Sequence, residues 1–135
     1  MDSKSSILLV IVENKISAST ADREAQVIAE AIATFRVNNE RRNLIGLDTL
    51  DEMTVPCITM SGTHPTFYLV PVTRALSDAV FAGAFPTTRT WVSRCATPPP
   101  HPDIGMEDPW YRKLVLKRFI SFREIARPHW SRFLR

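Results

Sequence analysis

The first apolar feature of the chain is the continuous run Ile7-Leu8-Leu9-Val10-Ile11-Val12, rich in β-branched residues. Such a run predicts a strand buried on both faces, inside a mixed or parallel sheet. Polar Glu13-Asn14-Lys15 ends it. Ser19 stands three residues before Asp22, an arrangement that can cap a helix, and Asp22 and Glu24 sit where the helix dipole favours acids. Ala21, Ala25, Ile28, Ile32 and Phe35 then follow helical spacing, which predicts an amphipathic helix from Thr20 to about Val37.

Asn38 to Met53 is polar and reads as a loop with a short turn near Leu47 to Leu50. Val55 to Met60 and Thr66 to Val72 predict two strands, joined through the turn-rich Ser61-Gly62-Thr63-His64-Pro65. Pro56 and Pro71 are expected near strand ends, where a missing N–H donor is tolerated. Thr73 can cap a short helix over Arg74 to Ala82, stopped by Gly83 and Pro86. Thr87 to Cys95 reads as an edge strand or extended arm.

Pro98-Pro99-Pro100-His101-Pro102 predicts a semi-rigid polyproline spacer. A long helix is expected beyond it, opened by Glu107 or Asp108, with Pro109 at a tolerated first position. Tyr111, Leu114, Val115, Phe119, Phe122, Ile125 and Ala126 fall on one arc of that helix. Arg112, Lys113, Lys117, Arg123 and Arg127 fall on the other, and Pro128 should end or kink the helix. The expected fold is therefore α/β: a small mixed sheet flanked by an amphipathic helix, with a basic C-terminal helix. Residues 1–95 form the expected core, 96–109 the spacer and 110–135 the terminal helix.

Composition narrows the function classes. A chain of 135 residues suits one domain able to bury a core. The longest apolar run has six residues, against the ~20 that a membrane span needs, so no membrane partner is expected. Two cysteines, Cys57 and Cys95, make no disulfide framework and suggest an intracellular setting, cytoplasm or nucleus. Four glycines cannot build a G-x-G-x-x-G or P-loop phosphate cradle. His64, His101 and His129 show no zinc-ligand spacing, and no serine sits in a nucleophile elbow.

The net charge of +3 hides a split. Residues 1–105 hold nine Lys/Arg against eleven Asp/Glu, whereas residues 106–135 hold eight against three. A basic terminal segment points to phosphate, hence DNA or RNA, or to an acidic protein face.

One motif suggests chemistry. Strand alternation places Glu13 and Lys15 on the same face, where the strand leaves the core. A carboxylate there can bind a hard divalent cation, and the ammonium can steady charge building on a phosphate. Seven Glu and four Lys predict only about 0.2 chance E-x-K matches. The order of an apolar strand ending in E-x-K, an amphipathic helix and a strand pair resembles the core of the PD-(D/E)xK nuclease-like superfamily. Uncharacterised fungal proteins are similar in the same way, and the resemblance covers roughly Ile7 to Val72.

It implies a nuclease-like scaffold that binds nucleic acid, with Mg²⁺-dependent phosphodiester hydrolysis as the family chemistry. Glu13 would be the metal ligand and Lys15 the catalytic lysine. Gln26 matches a glutamine that some branches place near the site. The family's earlier acidic ligand has no counterpart, because only Asp2 precedes Glu13 and too few residues remain for a strand and a turn. The expectation is an incomplete site and a chain inactive by itself, with Arg112, Lys113, Lys117, Arg123 and Arg127 as nucleic-acid contacts. The alternative is a non-catalytic interaction module, docking a protein partner or self-associating through an unpaired sheet edge.

Overall fold

A computed structural model describes residues 6–14 and 19–130. The elements, in chain order, are β1 (Val10–Asn14), α1 (Thr20–Leu44), β2 (Glu52–Ser61), β3 (His64–Thr73), α2 (Arg74–Phe81), β4 (Ser93–Ala96) and α3 (Pro109–Trp130). The four strands form one mixed sheet in the order β1-β2-β3-β4. β1 runs parallel to β2 through the α1 crossover, and the other neighbours are antiparallel. The α/β expectation holds. Among the described residues no helix is long and apolar enough to cross a membrane.

Strand alternation divides the sheet residues between two helical layers. Met53, Val55 and Cys57 of β2 and Tyr68, Val70 and Val72 of β3 face α1, which meets them with Val27, Ala31 and Phe35. Ile58 and Phe67 point the other way and receive Phe122, with Phe119, Met60 and Leu69 packed alongside. α3 therefore shares the sheet's second core. Phe67 makes an edge contact with Phe119 at 5.2 Å and a tilted one with Phe122 at 4.9 Å.

α1 starts where its cap predicts, with the Ser19 hydroxyl accepting from the Asp22 amide at 3.1 Å. It runs seven residues past Val37, to Leu44, through a stretch whose polarity reads as loop. Two asparagines inside it are structural. The Asn38 side chain accepts from Ile7 N at 2.8 Å and donates to Ile7 O at 2.9 Å. Asn39 makes the same reciprocal pair with Leu50, at 2.8 and 3.0 Å. Each amide imitates a strand neighbour for a chain segment entering the sheet, Ile7 before β1 and Leu50 before β2. Holding Asn38 inward sets the helix rotation, so the buried side is Val27, Ala31, Thr34, Phe35 and Asn38, while Ala21 and Ala25 lie in solvent. Gly46, at φ +78°, closes the end by donating to Asn43 O, and Leu47 N reaches back to Arg42 O.

The β2–β3 hairpin closes on two residues, Gly62 and Thr63. Gly62 has φ +61° and Thr63 does not have positive φ, the pattern of a type II′ turn with glycine first. From the closing pair Ser61–His64, alternate pairs exchange backbone hydrogen bonds. Pro56, Pro65 and Pro71 all fall in the pairs that do not. Their nitrogens turn toward the outer neighbours, where β1 begins only opposite Cys57 and β4 covers only Thr66 to Leu69. Pro56 thus sits inside β2 rather than near its end, tolerated because no neighbour needs its missing donor.

The predicted strand buried on both faces is an edge strand. Val12 is buried, but Ile11 is 63% exposed because α3 covers β2 and β3 and stops short of β1. Thr87 to Cys95 resolves to the short edge strand β4. α2 begins on its predicted cap, Thr73, whose hydroxyl accepts from Leu76 N at 3.1 Å.

α3 opens as expected on Asp108, whose carboxylate accepts from Tyr111 N at 2.9 Å, with Pro109 first in the helix. It does not stop at Pro128 but continues to Trp130. Trp130 Nε1 donates to Leu8 O at 2.6 Å, which fastens this last turn to the chain leading into β1. The other end is fastened by buried Tyr111, whose hydroxyl donates to Thr97 O at 2.6 Å. The proline-rich stretch before α3 returns to the hairpin: His64 Nε2 bonds Ile104 O and Met106 N donates to the Thr63 hydroxyl at 2.9 Å.

Candidate functional site

Glu13 lies in β1 opposite Met60, on the α3 side of the sheet, and is exposed. Gln26 is exposed on α1, which packs on the opposite side. The sheet therefore separates two residues that the nuclease resemblance would bring together. Lys15 lies outside the described residues, as do Asp2 and Phe133. Among the described residues no three His, Cys, Asp or Glu side chains are grouped so that they could hold a metal ion.

Asp22 and Glu30, which share a helix side with Gln26 in sequence, are likewise exposed. Glu24 next to them is committed elsewhere, pairing with Arg94 of β4 at 3.5 Å. Arg42 donates to Asp48 O at 2.7 Å and Arg89 lies 5.8 Å over the Trp91 ring.

The cationic side of α3 is as expected from the sequence. Arg112, Lys113, Lys117, Arg123 and Arg127 are all exposed. They differ in how far neighbours occupy them. Glu124 takes both Arg123, at 3.5 Å, and Arg127, at 3.2 Å. Arg112 donates to Met106 O at 3.3 Å and has no carboxylate partner among the described residues. Lys113 and Lys117, one turn apart, make no ion pair among the described residues. Arg118, a further cation of the helix, turns to the sheet edge and donates to Cys95 Sγ at 3.3 Å.

Aromatic residues near this surface play different parts. Trp130 anchors the helix to Leu8, whereas Trp110 is 62% exposed. Trp110, Lys113 and Lys117 fall at i, i+3 and i+7 and so share one outward side. Helical spacing held that signal, but only the exposure of Trp110 separates it from the anchoring aromatics.

The cysteines are both free, Cys57 buried and Cys95 exposed. Burial first, and then the negative charge of Glu30, push the Cys57 thiol up to about 12, so it stays protonated and inert. Burial also raises the Tyr111 hydroxyl, which is held as a donor to Thr97.

Comparison of the chain with protein-family models, curated proteins and solved structures returned no match.

Proposed function

We propose that the protein binds nucleic acid through the outward side of α3. The observation that carries this reading is the charge of the helix: six Lys/Arg against one Glu over 22 residues, with Lys113 and Lys117 exposed and unpaired among the described residues. Successive helical turns are ~5.4 Å apart, and a duplex carries one charge per ~1.7 Å of its axis. A row of cations one turn apart therefore meets phosphates wherever it lies along the backbone. Lys113 and Lys117 supply the free charge of the outward side, and Arg112 adds to it from the adjoining flank. Arg123 and Arg127 add less, because Glu124 already neutralises part of theirs. Exposed Trp110 offers a ring on which an unpaired base can stack. Binding of this kind is independent of sequence and weakens as salt rises.

The nuclease resemblance would add Mg²⁺ at Glu13. Mg²⁺ needs a near-octahedral oxygen shell, usually started by one or two carboxylates with substrate phosphates. Among the described residues exposed Glu13 belongs to no group of three or more His, Cys, Asp or Glu side chains. The proposal is confined to binding. Retention of the purified protein on immobilised DNA tests it. The wild type should be held at low salt, and Lys113→Glu/Lys117→Glu should elute early. A wild type that passes through at low salt would contradict the proposal.

A further inference from the structure

Among the described residues, the α3 side of the sheet is covered over β2 and β3 and open over β1. Beside β1, Leu9, Ile58, Phe119, Ile120, Phe122 and Trp130 line an apolar hollow of about 300 Å³. Ile11 extends the same sheet face outward, 63% exposed. Packed helices lie ~8–10 Å apart, so a second helix laid beside α3 would rest on β1. It would cover Ile11 and fill the hollow.

The wall of this groove is charged. Arg112, Leu116, Ile120, Arg123 and Arg127 follow i, i+4, i+8, i+11 and i+15 along one flank of α3. Leu116 and Ile120 are 53% and 56% exposed, two apolar residues set between arginines. Glu124 pairs with two of the three arginines, which leaves the flank net positive. A second copy packed here about a two-fold axis would bring the same arginines face to face, a like-charge contact. Charge complementarity calls for carboxylates instead.

We propose that the groove between β1 and α3 docks an amphipathic helix of a partner protein, apolar toward Ile11 and Ile120 and acidic toward the arginine flank. The nucleic-acid reading rests on Lys113 and Lys117 of the outward side, which the groove does not use, whereas Arg112, Arg123 and Arg127 border both. Helix-in-groove recognition works in this way, with anchors at i, i+3, i+4 and i+7 and charges at the rim.

The probe is a fluorescent helical peptide about four turns long, with leucines at those anchor positions and glutamates beside them. An otherwise identical peptide carries lysines in place of the glutamates. The glutamate peptide should bind the full chain about tenfold or more tighter than the lysine peptide. Ile120→Glu, at an exposed position that leaves the fold intact by circular dichroism, should weaken it about tenfold or more. Arg123→Glu/Arg127→Glu should reverse the preference between the peptides. Failure of both peptides to bind, equal binding, or affinity unmoved by Ile120→Glu would overturn the proposal. So would light scattering that shows a dimer dissolved by Ile120→Glu, since the occupant would then be a second copy. Displacement of the glutamate peptide from the wild type by duplex DNA, with Lys113 and Lys117 reversed to no effect, would assign the flank to nucleic acid and also overturn it.

Discussion

Asn38 exchanges two hydrogen bonds with the backbone of Ile7, 31 residues earlier, from a side chain that is 1% exposed. The relationship joins the middle of α1 to the chain entering β1, and the same amide lies 3.5 Å from Met53 Sδ of β2. Asn38→Leu fills similar volume but leaves the Ile7 N–H and C=O without partners. It should destabilise the fold by about 2 kcal/mol, read from urea unfolding. Asn39→Ala, at a less buried site, should cost about 1 kcal/mol.

The two anchors of α3 can be separated. Tyr111→Phe removes only the hydroxyl bonded to Thr97 O, whereas Trp130→Phe removes the indole N–H bonded to Leu8 O together with part of the ring. Tyr111→Phe should cost about 1 kcal/mol, typical of one hydrogen bond, and Trp130→Phe more than that because packing is lost too. Hydrogen exchange should distinguish them, since losing the Trp130 bond frees the final turn of α3 and losing the Tyr111 bond frees its start.

Cys57 makes stability depend on alkaline pH. Its thiol is raised from 9.0 to about 12 in the folded chain, so above pH 9 the unfolded chain releases a proton that the folded one keeps. The contribution is fully present below pH 9 and is lost as pH rises toward 12. Burial raises Tyr111 in the same direction. Unfolding at a series of alkaline pH values should show a decline that is shallower in Cys57→Val. Native alkylation near neutral pH, followed by mass spectrometry, should label exposed Cys95 and spare Cys57.

Gly62 tests the hairpin that sets the register of β2 and β3. With φ at +61°, a Cβ costs about 1–2 kcal/mol although nothing lies near enough to clash. Gly62→Ala should lower the thermal midpoint, and Gly62→Asn should lower it less, because asparagine tolerates that conformation better.

The order of elements was legible from the chain because periods of two and 3.6 are local properties. Helix caps at Ser19, Thr73 and Asp108 were legible for the same reason. Asn38 and Asn39 were not, since their polarity resembles a loop until Ile7 and Leu50 are placed beside them. Ile11 looked buried because a continuous apolar run does not reveal how far a distant helix extends over it. The cationic arc of α3 could be read directly, whereas the neutralising role of Glu124 could not. Glu13 and Gln26 follow one another as the nuclease pattern requires. Strand alternation sends Glu13 to one side of the sheet, and the crossover places α1 on the other.

Nucleic-acid binding by α3 is tested most directly by fluorescence anisotropy of labelled single-stranded and duplex DNA over a salt series, with the wild type, Lys113→Glu/Lys117→Glu and Glu13→Ala. Three free cations predict a plot of log affinity for duplex against log salt with slope of about −3, flattening toward about −1 in the double reversal. Glu13→Ala should follow the wild type, because that residue lies on β1, away from the outward side of α3. Absence of binding at low salt, or a slope that the double reversal leaves unchanged, would contradict the account.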